Sequence, residues 1–159
     1  MLLHILDIAR ILGVAATFYI GYSIGFAGDY DPIAQLHFMV PAVIVIIAGI
    51  SGIEGLVLGD RAAAAKGYAA DGNYQRQSSF ALLSYAAVAV FVRVSGWGIR
   101  AELTIFFAFI FFLVFSGINH AASAVRDRNF KWQNINRPFI TLALIAGMAY
   151  PVIEAMKRI

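Results

Sequence analysis

The sequence predicts an all-α, polytopic transmembrane helical bundle of about five membrane-spanning helices, built as a single membrane domain over residues 1–159. Three observations carry that expectation. The chain is 61% hydrophobic and only 13% charged, about half the charged share of a soluble domain. Its mean hydropathy is +0.78, and that apolar excess is best accommodated by lipid. Five apolar stretches also approach the roughly 20 residues that a bilayer core demands, at about 3–26, 33–58, 75–94, 103–124 and 138–155. Irregular backbone is not tolerated at depth in lipid, so each stretch is expected to be helical.

The first stretch carries Asp7 and Arg10 in its opening turns. It lacks a short apolar core followed by a small-residue cleavage site, and so reads as a retained helix. Asp7 and Arg10, three residues apart, are expected to pair along that helix near the headgroups. The break Gly28-Asp29-Tyr30-Asp31-Pro32 leads into the second stretch, where Gly49, Gly52, Gly55 and Gly59 share one flank. Such spacing lets membrane helices approach closely, within the chain or against a partner subunit.

After the Ala62–Ala65 run, Asp71-Gly72-Asn73 precedes the third helix, with Asn73 as its expected N-cap. Ser95-Gly96-Trp97-Gly98 separates it from a fourth helix crowded with Phe106, Phe107, Phe109, Phe111, Phe112 and Phe115, much of which must meet lipid. Tyr30 and Trp97 fall where an interfacial aromatic belt belongs. The basic stretch Arg126–Arg137 comes next, and Pro138 suits the first position of the last helix.

Basic residues set the orientation. Arg10, Arg61, Lys66, Arg76, Arg126, Arg128, Lys131 and Arg137 lie on the side of the N-terminus. Arg93, Arg100, Lys157 and Arg158, with Asp29 and Asp31, lie on the other. The positive-inside rule therefore places the N-terminus in the cytoplasm. The net charge of +3 is accounted for by these loops and by anionic headgroups rather than by nucleic acid. With no cysteine, thiolate metal sites and disulfides are excluded. No phosphate-binding glycine loop, nucleophile elbow or HExxH zinc motif occurs.

One polar cluster stands out. Glu54 and His120 each lie five residues or so before the expected end of their helices on the N-terminal side, about 7–8 Å deep at 1.5 Å per residue. Ser116, Asn119, His120 and Ser123 form a polar stripe at that end of the fourth helix, and the third helix enters there with Tyr74-Gln75-Arg76-Gln77. A helix N-terminus beside an arginine is a competent anion site. Glu54, Tyr74, Arg76, Gln77, Asn119 and His120 are therefore the candidate ligand-binding residues, with Glu54 and Arg76 as an expected ion pair. Breaking a buried pair strands the remaining charge. No metal site is expected, because zinc needs more ligands than His120 and Glu54 supply, and His37 belongs to the opposite face as an interfacial residue.

Gly52-Ile53-Glu54-Gly55 with Leu58-Gly59, Tyr74-Gln75-Arg76-Gln77-Ser78 and Gly117-Ile118-Asn119-His120 carry a resemblance. Over about residues 35–155 the chain resembles a family of small prokaryotic integral membrane proteins with four predicted transmembrane helices, catalogued as a domain of unknown function. The resemblance implies a prokaryotic cytoplasmic membrane and no particular reaction; the first helix would be an addition.

The expected function is that of an accessory or self-associating membrane subunit, more a binding protein than an enzyme. It would be a homo-oligomer or part of a larger membrane complex, in contact with membrane lipids, and its cytoplasmic-side pocket would take a lipid or a quinone. One alternative is a small proton- or ion-coupled transporter or channel using Glu54 and His120. Another is a quinone-interacting redox subunit. The residues name no cofactor.

Overall fold

A computed structural model describes residues 2–69 and 71–159, with the side chain of Gln133 left out. Among these residues all regular structure is helical: α1 (Leu2–Gly25), α2 (Pro32–Ala65), α3 (Gly72–Val94), α4 (Ile99–Arg126) and α5 (Trp132–Met156). All five are long and apolar enough to cross a membrane. The chain is a multi-pass integral membrane protein. Its N-terminus and the loops after α2 and α4 share one face, and the other two loops and the C-terminus share the opposite one.

α2 is the central helix and packs against each of the others. Its Leu36, Met39, Val40, Val43, Ile44 and Ala48 are fully buried, against Ala86 and Ala89 of α3, Phe106 and Phe109 of α4, and Leu144 and Met148 of α5. The small-residue flank of α2 is filled within the chain. A Cβ on Gly52 would lie 2.6 Å from Leu83 Cγ and 3.0 Å from the Ser79 carbonyl oxygen, and one on Gly55 would collide with the Ser79 hydroxyl. These two glycines set the close approach of α2 to α3; Gly49 and Gly59 are looser.

Three boundaries differ from the sequence expectation. α2 runs to Ala65 rather than ending near residue 58, because the alanine run has the highest helix propensity. The first break comes at Gly67, whose φ of +74° only glycine adopts easily. At 34 residues the helix is about 51 Å long, so its last turns lift Lys66 to the edge of the membrane. α3 is capped by Asp71, whose carboxylate accepts from the Tyr74 N–H at 3.1 Å, two residues ahead of the expected Asn73. α5 begins at Trp132, not Pro138, because the Asn134 side chain anchors the extra turn by donating to the Asn129 and Lys66 carbonyls, both at 3.1 Å.

Of the three prolines inside helices, Pro41, Pro138 and Pro151, the first and last show how the N–H that a proline denies to its i−4 carbonyl is replaced. Pro41 frees the carbonyl of His37, and Arg93 of α3 donates to it at 3.1 Å. Pro151 frees that of Gly147, and the Tyr22 hydroxyl of α1 donates to it at 2.9 Å. Each of these two breaks in the ladder is thus repaired by another helix, the condition under which prolines are tolerated in lipid. A π-helical turn at Val45–Gly49 follows Pro41 and completes the irregular middle of α2.

Candidate functional site

The N-terminal face holds a charged network drawn from α1, α2, α4, α5 and the loops between them. Glu54 is 3% exposed. Its carboxylate accepts from Arg10 Nη2 at 2.5 Å and faces Lys66 Nζ at 3.5 Å. Arg10 also donates to Asp7 at 2.6 Å and to the Ser51 hydroxyl at 2.7 Å. The expected Asp7–Arg10 pair is present, and it extends across to α2.

The second half of the network centres on His120, which is 5% exposed. Asn134 determines the state of this ring. The Asn134 amide nitrogen is committed to two backbone carbonyls, so its oxygen is what faces His120 Nδ1 at 2.7 Å. Nδ1 must then carry the hydrogen. The other nitrogen, Nε2, is left with a lone pair and accepts from Arg137 Nη1 at 3.1 Å. The Tyr68 hydroxyl donates to the same Asn134 oxygen at 3.0 Å and sits 3.0 Å from Nδ1. His120 is therefore a neutral ring held between an amide and a guanidinium.

Lys66 joins the two halves. Its ammonium faces Glu54, and its carbonyl accepts from Asn129 at 2.9 Å as well as from Asn134. Burial, and next the Arg137 guanidinium, hold this ammonium below its ordinary range, with Glu54 acting in the opposite sense. Close packing at Gly67 is part of the joint: a Cβ there would lie 2.5 Å from the Asn129 side chain.

The opposite face has a smaller cluster. Glu102, in the first turn of α4, is 2% exposed and lies 2.9 Å from His37 Nδ1, with Arg93 Nε 4.0 Å away. The helix N-terminus favours a carboxylate at that position. Between the two clusters the buried layer is apolar, made by residues such as Met39, Val43, Phe109 and Met148. Among the described residues no three His, Cys, Asp or Glu side chains are grouped to hold a metal ion.

The six candidates from the sequence separate into three environments. Glu54 and His120 are both buried in the network. They do not touch; Lys66 and its bonded neighbours lie between. Arg76 is exposed and is not Glu54's partner: α1 brings Arg10 to that carboxylate, and which α1 face meets α2 depends on packing. Arg76 instead lines a groove of about 600 Å³ between the end of α2 and the start of α3, together with Leu56, Val57, Asp60, Arg61 and Gln75. Tyr74, Gln77 and Asn119 are exposed and belong to neither the network nor the groove lining.

Arg10, Lys66, Tyr68, Asn134 and Arg137 are the network members that sequence reasoning passed over. Asn134 and Arg137 had looked like parts of a solvated basic loop, and only the early start of α5 turns them inward. A signal did exist for Arg10, a second intramembrane charge on the same face as Glu54. No protein-family model, curated protein or solved structure matches this chain.

Proposed function

We propose that this protein is a non-catalytic subunit of a prokaryotic cytoplasmic membrane, with its N-terminal face in the cytoplasm, that binds the headgroup of an anionic phospholipid. The observation that carries the reading is the groove between α2 and α3. Its wall is apolar at Leu56, Val57 and Leu58, and basic at Arg61 and Arg76, with Asp60 as the opposing charge. An amphiphile with a phosphate at headgroup level matches that division, with the upper acyl carbons against the leucines and the phosphate on the arginines. Arginine suits phosphate because its fork can donate two parallel hydrogen bonds. The excess of basic residues on the same face supports both the orientation and the preference for anionic lipid.

The apolar layer between the two clusters favours binding over proton or ion passage, since a conducting route would need polar groups or water at that depth.

Native mass spectrometry of the protein extracted in mild detergent tests the assignment. Phosphatidylglycerol-class or cardiolipin-class adducts are expected on the wild type, and they are expected to be lost in the Arg61→Ala/Arg76→Ala double variant and weakened by salt. Retention of zwitterionic lipid alone would overturn it. A quinone in the extract, or visible absorbance, would move the protein to a redox role.

A further inference from the structure

The buried network on the N-terminal face does not balance its own charge. It contains two carboxylates, Asp7 and Glu54, and three permanent or near-permanent cations, Arg10, Lys66 and Arg137. Both carboxylates are engaged: Glu54 faces Arg10 and Lys66, and Asp7 accepts from Arg10. Arg137 has no carboxylate within 4.0 Å among the described residues. The hydrogen bond its guanidinium makes there goes to the lone pair of His120 Nε2, on a neutral ring whose tautomer the Asn134 amide fixes. The imidazole satisfies one N–H and offers no negative charge. Lys66, whose side chain is 18% exposed, is set against Arg137.

Arg137 is only partly buried, so its unbonded donors are open to the N-terminal face, and the fork of an arginine with most of its donors free is the usual grip on an oxyanion. We infer that the corner formed by Arg137 and Lys66 is a second anion site, taking one phosphate-class group from the N-terminal face. Arg137 supplies a two-pronged donor and Lys66 a point charge, while His120 holds Arg137 in place and the Tyr68 hydroxyl, donating to Asn134, braces that ring. The site is separate from the α2–α3 groove, which none of these residues lines, and it stands whether or not that groove binds lipid. The phosphate could belong to a lipid headgroup or to a free ion, since both present the same oxygens.

The experiment uses the full chain in nanodiscs of neutral phosphatidylcholine, in chloride buffer. It is read by native mass spectrometry and by the shift in unfolding temperature. Inorganic phosphate is added in one arm, and phosphatidic acid is mixed into the discs in the other. One phosphate-class adduct per chain is expected in at least one arm, with a rise in unfolding temperature. Binding in the first arm identifies a free ion, and binding in the second alone a headgroup.

The adduct is expected to persist in Arg61→Ala/Arg76→Ala and to fall by tenfold or so in affinity in Arg137→Gln, the loss of about 1.4 kcal/mol. Lys66→Met, which keeps the Arg10–Glu54 pair, is expected to weaken it as well, and it stands in should Arg137→Gln fail to fold. No adduct in either arm, equal binding in Lys66→Met and wild type, or an adduct lost only with the groove arginines would each overturn the inference.

Discussion

Each face of the bundle contains one buried glutamate and one histidine, and the two faces wire them differently. On the C-terminal face His37 and Glu102 are bonded to each other at 2.9 Å, and Arg93 stands nearby, half exposed. That cluster lies close to water: the His37 side chain is about a third exposed and the arginine is half exposed. On the N-terminal face Glu54 and His120 are held apart, each inside its own set of partners. There the histidine is held neutral and the cations outnumber the carboxylates. The same pair of residue types thus makes a self-contained clasp at one end and an unbalanced, receptive network at the other. What differs is which third residues the packing brings in.

The largest effect should come from removing the carboxylate on the network side. Glu54→Gln leaves Arg10 and Lys66 facing each other with only Asp7 near, and should cost about 3–5 kcal/mol, read as reversible unfolding in bicelles. Glu102→Gln on the other face should cost less, about 1–3 kcal/mol, because the partners it leaves, His37 and Arg93, both reach water. Equal losses at the two sites would erase the contrast between the faces.

The proline repairs sharpen the comparison, since the one at Pro41 belongs to the C-terminal cluster and the one at Pro151 does not. Tyr22→Phe should cost about 0.5–1.5 kcal/mol by leaving the Gly147 carbonyl without a donor. In a Pro151→Ala background the restored N–H reclaims that carbonyl, so the Tyr22→Phe loss should shrink toward zero in a double-mutant cycle. A loss that persists would mean the hydroxyl acts elsewhere.

The smallest effect is at Lys66. Lys66→Met removes a half-buried ammonium that Arg137 opposes, and should change stability by about 0.5 kcal/mol or less, in the stabilising direction. Mildly alkaline pH should act in the same sense on the wild type. The folded-state value of Lys66 lies below its ordinary 10.5, so across that window the unfolded chain binds the extra proton and stability rises with pH. The comparison belongs below pH 10. Tyr30, pushed up to about 12 by burial and then by Tyr150, works the other way above its ordinary 10.0. A pH slope that is equal in wild type and Lys66→Met would remove Lys66 as its source.

Much of the architecture was legible from composition. Five apolar stretches, their punctuation and the polarity of the loops led to five helices and to which loops share a face, because hydropathy and length alone decide whether a segment can sit in lipid. Helix ends were legible only to within a turn or two. The alanine run carried α2 seven residues further, and Asn134 drew the start of α5 back across Pro138. Of the site, Glu54 and His120 were legible as buried polar groups, since an ionisable side chain in an apolar segment must find partners. Which partners was not legible, because pairing depends on the rotation of each helix about its own axis. Arg76 showed this: it is exposed at the start of α3, and α1 supplies the arginine instead.

For this protein the sequence by itself determined the membrane-spanning all-α class and the two chemically distinct ends. Those follow from one-dimensional quantities: apolar length and charge position. Only the tertiary structure decided that Glu54 belongs to Arg10, that Asn134 and Arg137 together fix the state of His120, and that Arg137 is left without a carboxylate. Close packing rotates each helix to bury its best face, so the partners of a buried charge are selected by all five helices together.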